Sequence, residues 1–330
     1  MPADFESAER TTLLDLRDPW LNTTIDRRYR LTRVLGEGGM GMVYEAVQLS
    51  MDRPVAIKML RSDDETNRRR LLREVRLLTQ LEHPNIVHVL DGGETESGAV
   101  FLVMERLVGR TLAEKLAGER LSWRHAAGLA VQLCDALVAS HARGIVHRDL
   151  KPCNIMLVDE PTRGELVKVL DFGIAKALVH ETSRNSQLTM AGTIIGTPHY
   201  MAPEAIEGEL DPRSDLYALG SILYEMLSGA APFAHANLDA VLWHQLRELP
   251  PALQVEMPPA LAALVYALLA KNPEHRPHSA AVVRDALLAI LVPPPAMTLA
   301  PAASRLRWVT PVVVLLGLML AAFVLTLQCA

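Results

Sequence analysis

The sequence predicts an α+β protein with a small β-rich N-terminal lobe, a larger helical C-terminal lobe and one C-terminal transmembrane helix. The first observation is alternation: between residues 29 and 107, apolar and polar side chains alternate in short β-branched runs, as in strands. The second is the helical spacing of apolar residues over much of 111–290. The third is the stretch 309–327, which contains no charged residue. At about 1.5 Å per residue it is long enough to cross a hydrocarbon core of about 30 Å.

Composition narrows the class of protein. A length of 330 residues allows about two compact units. The formal net charge of -5 argues against a dedicated nucleic-acid-binding protein, which usually carries a basic surface. The three cysteines are scattered without metal-ligand spacing, so neither a cysteine-ligated metal site nor a disulfide framework is expected. The acidic start lacks the apolar core of a signal peptide, and residues 1–28 show no periodicity, which predicts a mobile tail.

A glycine cluster lies between the first two predicted strands. Gly36, Gly38 and Gly41 have the spacing G-x-G-x-x-G. Glycine lets the backbone approach phosphate oxygens closely because no side chain intervenes. Dinucleotide-binding folds use the same spacing, but there the glycines open a helix. Here the residues Met42 to Tyr44 continue as a strand, which favours a phosphate-binding loop within a hairpin.

One lysine and one glutamate stand out in the next two predicted elements. Lys58 lies in the β-branched strand PVAIKML, and Glu74 lies in a predicted helix over about 67–81, bordering its apolar stripe. A carboxylate there requires a nearby cation. Arg70, one turn earlier, is the local candidate, although such helix-surface pairs stabilise by only about 0.2–0.5 kcal/mol.

The stretch VHRDLKPCN is the densest cluster of polar groups in a predicted loop. It carries Asp149, Lys151 and Asn154, and Asp171 follows a short apolar strand. A carboxylate within reach of a hydroxyl can orient it and accept its proton. An amide oxygen and a second carboxylate are ligands that suit Mg²⁺ alongside substrate phosphates. Together these groups predict a site for phosphoryl transfer.

The order HRDLKPCN, DFG, GTPHYMAPE and DLYALG, after the glycine loop and VAIK, resembles that of protein kinases. The resemblance covers about residues 29–291 and is strongest to the eukaryotic-like (Hanks-type) serine/threonine kinases of bacteria. It implies a bilobal fold with an N-lobe at 29–107 and a C-lobe at 108–291. The implied activity is transfer of the ATP γ-phosphoryl group to serine or threonine of protein substrates, with Mg²⁺ or alternatively Mn²⁺.

The same resemblance assigns roles to individual residues. Asp149, Lys151, Lys58 and Glu74 are implied to be catalytic, with Glu74 paired to Lys58. Asn154 and Asp171 are the implied metal ligands. The implied nucleotide contacts, which end in a hinge at 105–107, are Gly36, Glu37, Gly38, Gly39, Gly41, Val43, Ala56, Lys58, Met104, Glu105 and Leu107. Four residues are implied to be regulatory. Arg148 is the implied phosphate-binding group, and Thr189 and Thr193 are the activating sites. Thr197 is implied to face the substrate.

Four further residues are implied to have structural roles. His147 and Asp215 brace the loop around Asp149, and Glu204 pairs with Arg276 in the C-lobe. Two alternatives remain beside the kinase interpretation. A catalytically weak kinase-fold scaffold would lack an equivalent of one of four residues. All four are present: Lys58, Asp149, Asn154 and Asp171. A small-molecule kinase would lack the segment GTPHYMAPE, which the resemblance assigns to peptide docking, and the pairing of Thr197 with Lys151.

The C-terminal region is predicted to anchor the protein. Residues 292–307 form a proline- and alanine-rich linker, 308–327 the transmembrane helix, and 328–330 a short tail. Arg305 and Arg307 favour a cytoplasmic location for the preceding domain. The expected localisation is therefore a cell membrane, with a single pass and the kinase domain in the cytoplasm. Gly317 and Ala321 have the small-x-x-x-small spacing that allows close packing of two spans, so a homodimer is a further expectation.

Overall fold

A computed structural model describes residues 18–38, 41–60, 65–117, 119–161, 164–172, 198–209, 211–235 and 237–292. The chain divides into two compact units, 1–291 and 292–330. The predicted linker and transmembrane helix, Gly39, and the three regulatory threonines lie outside the described residues. Within the described residues, no helix has both the length and the apolar character needed to cross a bilayer.

The N-lobe is built on a six-stranded antiparallel sheet with the order β1-β2-β3-β4-β6-β5. Its strands are β1 (Thr24–Ile25), β2 (Tyr29–Gly38), β3 (Gly41–Gln48), β4 (Arg53–Leu60), β5 (Val89–Glu94) and β6 (Val100–Glu105). Helix α1 (Glu65–Leu78) buries Leu71, Val75 and Leu78, which recur at helical spacing. The helix starts and ends two to three residues earlier than the sequence predicts.

Residues 18–28 are folded, which corrects the predicted tail boundary at Arg28. Strand β1 pairs with β2 through Thr24 and Ile25, and Trp20 packs against the buried cluster of this sheet. The Tyr44 hydroxyl donates a hydrogen bond to Asp18 at 2.7 Å. A two-residue strand shows no measurable periodicity, so sequence patterning could not detect it.

The C-lobe is mostly helical and also carries a three-stranded sheet with the order β7-β8-β9. Its elements are β7 (Arg110–Thr111), α2 (Leu112–Leu116), α3 (Trp123–His141), β8 (Ile155–Glu160), β9 (Gly164–Val169), α4 (Pro203–Ile206), α5 (Pro212–Ser228), α6 (Leu238–Arg247), α7 (Pro259–Leu268) and α8 (Ala280–Leu291), with 3₁₀ turns at Pro152–Asn154, Pro198–Tyr200 and Pro273–His275. The predicted α+β, two-lobed architecture is confirmed.

Helix termini in the C-lobe follow their capping residues. Ser122 accepts a hydrogen bond from the backbone of His125 at the start of α3. Asp211 caps α5, and Pro212 occupies its first turn, where the missing N–H costs nothing. The same helix ends at Gly229, whose φ of 89° suits glycine. These two helices form the centre of the buried C-lobe core.

The segment before β5 joins the two lobes. Val87 N–H donates to the carbonyl of Val169 at 3.0 Å, and Val169 N–H donates to the carbonyl of Asn85 at 2.9 Å. The Asn85 side chain adds a 3.0 Å hydrogen bond to the Val167 carbonyl. Strand β9 is therefore fixed to the segment that leads into the N-lobe sheet, only a few residues before Asp171.

Candidate active site

The loop 148–154 brings three predicted site residues together. Asp149 Oδ2 lies 2.8 Å from Lys151 Nζ. Asn154 Nδ2 donates to the Asp149 carbonyl at 2.8 Å and to its Oδ2 at 3.2 Å. Burial alone would lower the pKa of Lys151, but the charge and hydrogen bond of Asp149 outweigh it and raise that pKa. Lys151 therefore stays an ammonium at neutral pH beside the carboxylate.

Asp215 holds the backbone just before Asp149. Its Oδ2 accepts from the His147 N–H at 2.8 Å, and its Oδ1 from the Arg148 N–H at 3.0 Å. His141 Nε2 lies 2.8 Å from the same Oδ2, a contact that sequence reasoning missed. The φ of Arg148 is 65°, a conformation costly for this residue type. The two backbone hydrogen bonds hold it there.

His147 has the structural role that the sequence predicts. It is fully buried, and its Nε2 donates to the Leu170 carbonyl at 2.8 Å. Burial lowers the pKa of the imidazole, so the ring is neutral at pH 7. Its ring centroid lies 4.7 Å from that of Phe172. The histidine therefore packs between the loop and the residue that follows Asp171.

Asn154 and Asp171 form a ligand set that fits a hard divalent cation. The Leu170 N–H donates to the Asn154 carbonyl at 2.8 Å, which brings the approach to Asp171 beside Asn154. Because Asn154 uses its Nδ2 on Asp149, its Oδ1 is the side-chain atom available to a cation. One amide oxygen and one carboxylate, completed by phosphate oxygens and water, are typical of Mg²⁺ sites.

The expected ion pair between Lys58 and Glu74 is not formed. Lys58 Nζ instead lies 2.8 Å from Asp171 Oδ2, and the lysine side chain is only 8% exposed. A buried ammonium requires an anionic partner, and Asp171 supplies it. Glu74 lies at a cavity of about 100 Å³ beneath α1, which Arg148 and Phe172 also line. The sequence identified both carboxylates but could not rank them as partners.

The nucleotide-binding residues predicted on β2, β3 and β4 lie on neighbouring strands. In the hairpin, Gly36 pairs with Val43, and Gly38 with Gly41. At Gly41 a Cβ atom would lie 1.8 Å from the Met59 carbonyl oxygen, so only glycine fits. One strand further, Val43 pairs with Lys58, and Ala56 with Met104. These pairings place five of the predicted nucleotide contacts on one face of the sheet: Gly36, Val43, Lys58, Ala56 and Met104.

The predicted hinge is fixed by three side-chain contacts that the sequence did not reveal. Glu105 Oε1 lies 2.8 Å from Lys168 Nζ. The next residue, Arg106, donates from Nε to Glu45 at 3.1 Å and from Nη1 to the Leu107 carbonyl. A basic residue within a strand, such as Lys168 on β9, or just after one, such as Arg106 after β6, is ordinarily interpreted as facing solvent. Neither residue therefore carried a sequence signal.

Arg148 is suited to binding an anion. Among the described residues, its guanidinium has no hydrogen-bond or ion-pair partner, and its Nε is buried. A buried cationic donor without a partner is costly. Thr189, Thr193 and Thr197, the candidate partners and substrate contact, lie outside the described residues.

Glu204 and Arg276 form the buried pair that the resemblance implies. Arg276 binds the carboxylate with both terminal nitrogens, at 2.6 and 2.8 Å, and Ser214 donates to Glu204 at 2.7 Å. Burial alone would raise the pKa of Glu204, but the hydrogen bonds from Arg276 and Ser214 outweigh it and lower that pKa. The pair fixes the end of the segment that begins after Asp171 to the turn before α8.

Comparison with known proteins agrees with this geometry. A profile described as "Protein kinase domain" matches residues 29–288. The chain is 42% identical to serine/threonine-protein kinase pkn3 of Myxococcus xanthus over 285 residues, which is 83% of this chain and 52% of that protein. It is 40% identical to serine/threonine-protein kinase PknA of Mycobacterium tuberculosis over 281 residues, 82% of this chain and 63% of that protein. It is also 40% identical to serine/threonine-protein kinase PknB of Mycolicibacterium smegmatis over 274 residues, 80% of this chain and 43% of that protein.

The matched regions therefore span between 43% and 63% of the length of these relatives. The profile, in contrast, covers most of this chain. The chain belongs to the protein kinase family, among the bacterial serine/threonine kinases of the Hanks type.

Proposed function

We propose that the chain transfers the γ-phosphoryl group of ATP to serine or threonine hydroxyls of protein substrates. The observation that carries this is the placement of Asp149, Lys151 and Asn154 in one loop, next to the pair formed by Lys58 and Asp171. Phosphoryl transfer depends mainly on positioning and charge neutralisation, which such groups supply.

Each side chain has a distinct task in the proposed reaction. Asp149 orients the substrate hydroxyl and accepts its proton. The bond between the hydroxyl oxygen and the γ-phosphorus forms while the bond from that phosphorus to the β–γ bridging oxygen breaks, releasing ADP. Lys151 neutralises charge on the transferring group, and Lys58 binds the α- and β-phosphates. Asn154 and Asp171 hold the Mg²⁺ that neutralises phosphate charge.

Incubation of the purified chain with ATP and Mg²⁺, followed by phosphopeptide mapping, tests the proposal. We expect phosphoserine or phosphothreonine from the wild type and none from Lys58→Met or Asp149→Asn. Asp159→Asn is the matched control, because Asp159 is exposed on β8, outside the site. Undiminished labelling in both site variants would exclude the assigned chemistry.

We propose that phosphorylation of Thr189 and Thr193 activates the enzyme. The support is the buried Nε of Arg148, which has no hydrogen-bond partner among the described residues. Such a cation suits a phosphate because charge-assisted bonds can order a loop. The double substitution Thr189→Ala, Thr193→Ala should remove most activity toward an external substrate, while Ser183→Ala should not. Phosphate found by mass spectrometry only within residues 1–28 would contradict this role.

We also propose that residues 308–327 anchor the kinase in a membrane, with the catalytic domain in the cytoplasm. The support is the uncharged run and the flanking Arg305 and Arg307. The full chain should resist alkaline carbonate extraction from membranes, whereas a version ending at Leu291 should be soluble and active. Replacing Gly317 and Ala321 with leucine tests dimerisation: autophosphorylation should slow at low enzyme concentration if the spans associate.

A further inference from the structure

Two adjacent hinge side chains of opposite charge contact opposite lobes. Glu105 contacts Lys168 on β9 of the C-lobe at 2.8 Å. Arg106 contacts Glu45 on β3 of the N-lobe at 3.1 Å. At the point where the chain crosses between the lobes, the C-lobe therefore holds Glu105 and the N-lobe holds Arg106.

Glu105 is held by three hydrogen bonds. Its Oε1 accepts from Lys168 Nζ and from the His88 N–H, both at 2.8 Å. Its own N–H donates to the His88 carbonyl at 3.0 Å. The N–H bond fixes the peptide that precedes Glu105, and the two side-chain bonds hold the residue itself. Together they restrict the directions that the Glu105 carbonyl, which belongs to the following peptide, can take.

Lys168 is firmly placed itself. Its side chain is 12% exposed, against 31% for Glu105. It pairs with Met156 in the β8–β9 ladder, and the next residue, Val169, is bonded to the Asn85–Val87 segment. Asp171, the proposed metal ligand, follows Lys168 by three residues, just beyond the end of β9.

We propose that Lys168 is a positioning residue for adenine recognition. By holding the Glu105 carboxylate on the β9 side, it fixes the Glu105 carbonyl as the acceptor for the 6-amino group of the base. The inference rests on the proposed ATP site, in which the hinge backbone meets the adenine. Without Lys168 the partly buried carboxylate lacks its cation and turns toward water, and the hinge peptide turns with it.

Loss of Lys168 should affect recognition of one functional group of the base, the 6-amino group. A carbonyl acceptor favours a purine with an amino group at position 6, and a purine without that group gains nothing from it. Loss of Lys168 should therefore weaken binding of ATP but leave binding of purine riboside triphosphate, which lacks the 6-amino group, unchanged. A general effect on fold stability would weaken both.

Equilibrium binding of the two triphosphates to the full chain tests this. The wild type should bind ATP about threefold to tenfold more tightly than purine riboside triphosphate, corresponding to one hydrogen bond. Lys168→Met should remove this preference, and Lys168→Arg should retain most of it. Lys115→Met is the matched control and should keep the preference for ATP. Lys115 lies on α2 and forms a similar pair, at 2.5 Å, with Glu165, which lies on β9 as Lys168 does.

A second variant, at the other residue of the pair, keeps the test independent of any folding defect in Lys168→Met. Glu105→Gln keeps an acceptor for the His88 N–H but loses the ion pair, and it should also reduce the preference for ATP. Equal weakening of both triphosphates in Lys168→Met, or no change in either, would overturn the role of Lys168 and leave the proposed function intact. A wild type that binds neither triphosphate would refute the ATP site and this inference together.

Discussion

Lys58 Nζ lies 2.8 Å from Asp171 Oδ2 and forms no ion pair with Glu74, although all three residues are described. The lysine is buried and the aspartate is the proposed metal ligand. One cation thus contacts a carboxylate that the proposed reaction assigns to Mg²⁺. Binding of ATP and Mg²⁺ would engage Asp171 with the metal, which frees Lys58 to interact with phosphate and with the carboxylate on α1.

Double-mutant cycles on the free energy of unfolding should show this pairing. Without nucleotide, we expect a coupling of about 1.5–3 kcal/mol between Lys58 and Asp171, the range for hydrogen bonds to charged groups. The coupling between Lys58 and Glu74 should be near zero. The variants are Lys58→Met, Asp171→Asn and Glu74→Gln, alone and in pairs. A larger coupling to Glu74 in the nucleotide-free protein would contradict the observed arrangement.

Asp215 is predicted to control both stability and catalysis. Asp215→Ala leaves the N–H groups of His147 and Arg148 without their acceptor, at a cost of about 1–3 kcal/mol for each buried group. The rate of transfer should fall as well, because Arg148 directly precedes Asp149. Chemical unfolding and steady-state kinetics measure the two effects.

Two substitutions complete that comparison. Asp215→Asn keeps one acceptor oxygen and should be milder than the alanine variant. Asp239→Ala provides the control, since Asp239 is likewise in the first turn of a helix but is exposed. Equal losses in the Asp215 and Asp239 alanine variants would refute the bracing role.

The sequence predicted the residues of the catalytic loop but not all of their partners. Asp149, Lys151 and Asn154 fall within six residues, so local chain geometry alone brings them together. The partner of Lys58 could not be predicted in this way, because Glu74 and Asp171 lie on separate elements. Only the packing of the lobes decides which of them contacts the lysine.

Other features were not predicted because they leave little trace in the order of residues along the chain. Strand β1 has two residues, too few for a period. Lys168 looks like an ordinary surface lysine until β9 is placed against the hinge. Gln245, an amide in an amphipathic helix, is in fact completely buried.

Breaking the Glu204–Arg276 pair should have a pH-dependent effect. The pKa of Glu204 is lowered in the folded chain from its ordinary value of 4.5. The carboxylate therefore contributes its full stabilisation above about pH 4.5, and this is lost as pH falls through the lower folded pKa. Glu204→Gln should cost about 3–5 kcal/mol at pH 7, since it leaves the Arg276 charge buried.

The difference in unfolding free energy between wild type and Glu204→Gln should therefore shrink below pH 4.5. Glu274→Gln is the control, because Glu274 pairs with Arg213 at 2.5 Å but is 75% exposed, and exposed pairs contribute about 0–1 kcal/mol. A difference that stays constant between pH 7 and pH 3 would show that charge on Glu204 is not the cause.

Gln245 connects helix α6 to the turn Pro198–Tyr200, which directly follows Thr197. Its Nε2 donates to the carbonyls of Pro198 and His199, at 3.2 and 2.7 Å, and its Oε1 accepts from the Tyr217 hydroxyl. Lys271 donates to the Gln245 carbonyl at 2.6 Å. All polar atoms of the buried amide are thus engaged in holding the segment that the family resemblance assigns to peptide docking.

Gln245→Ala should therefore raise the KM for a peptide substrate and leave the KM for ATP unchanged, because the turn loses two hydrogen bonds while the nucleotide site lies elsewhere. Two weakened contacts of about 0.5–1.5 kcal/mol each correspond to roughly a fivefold to hundredfold change in peptide KM. Steady-state kinetics with each substrate varied in turn measures both constants. Arg247→Ala, an exposed change on the same helix, is the control and should alter neither. A rise in both KM values, or in that for ATP alone, would show that Gln245 supports the fold in general rather than the peptide site.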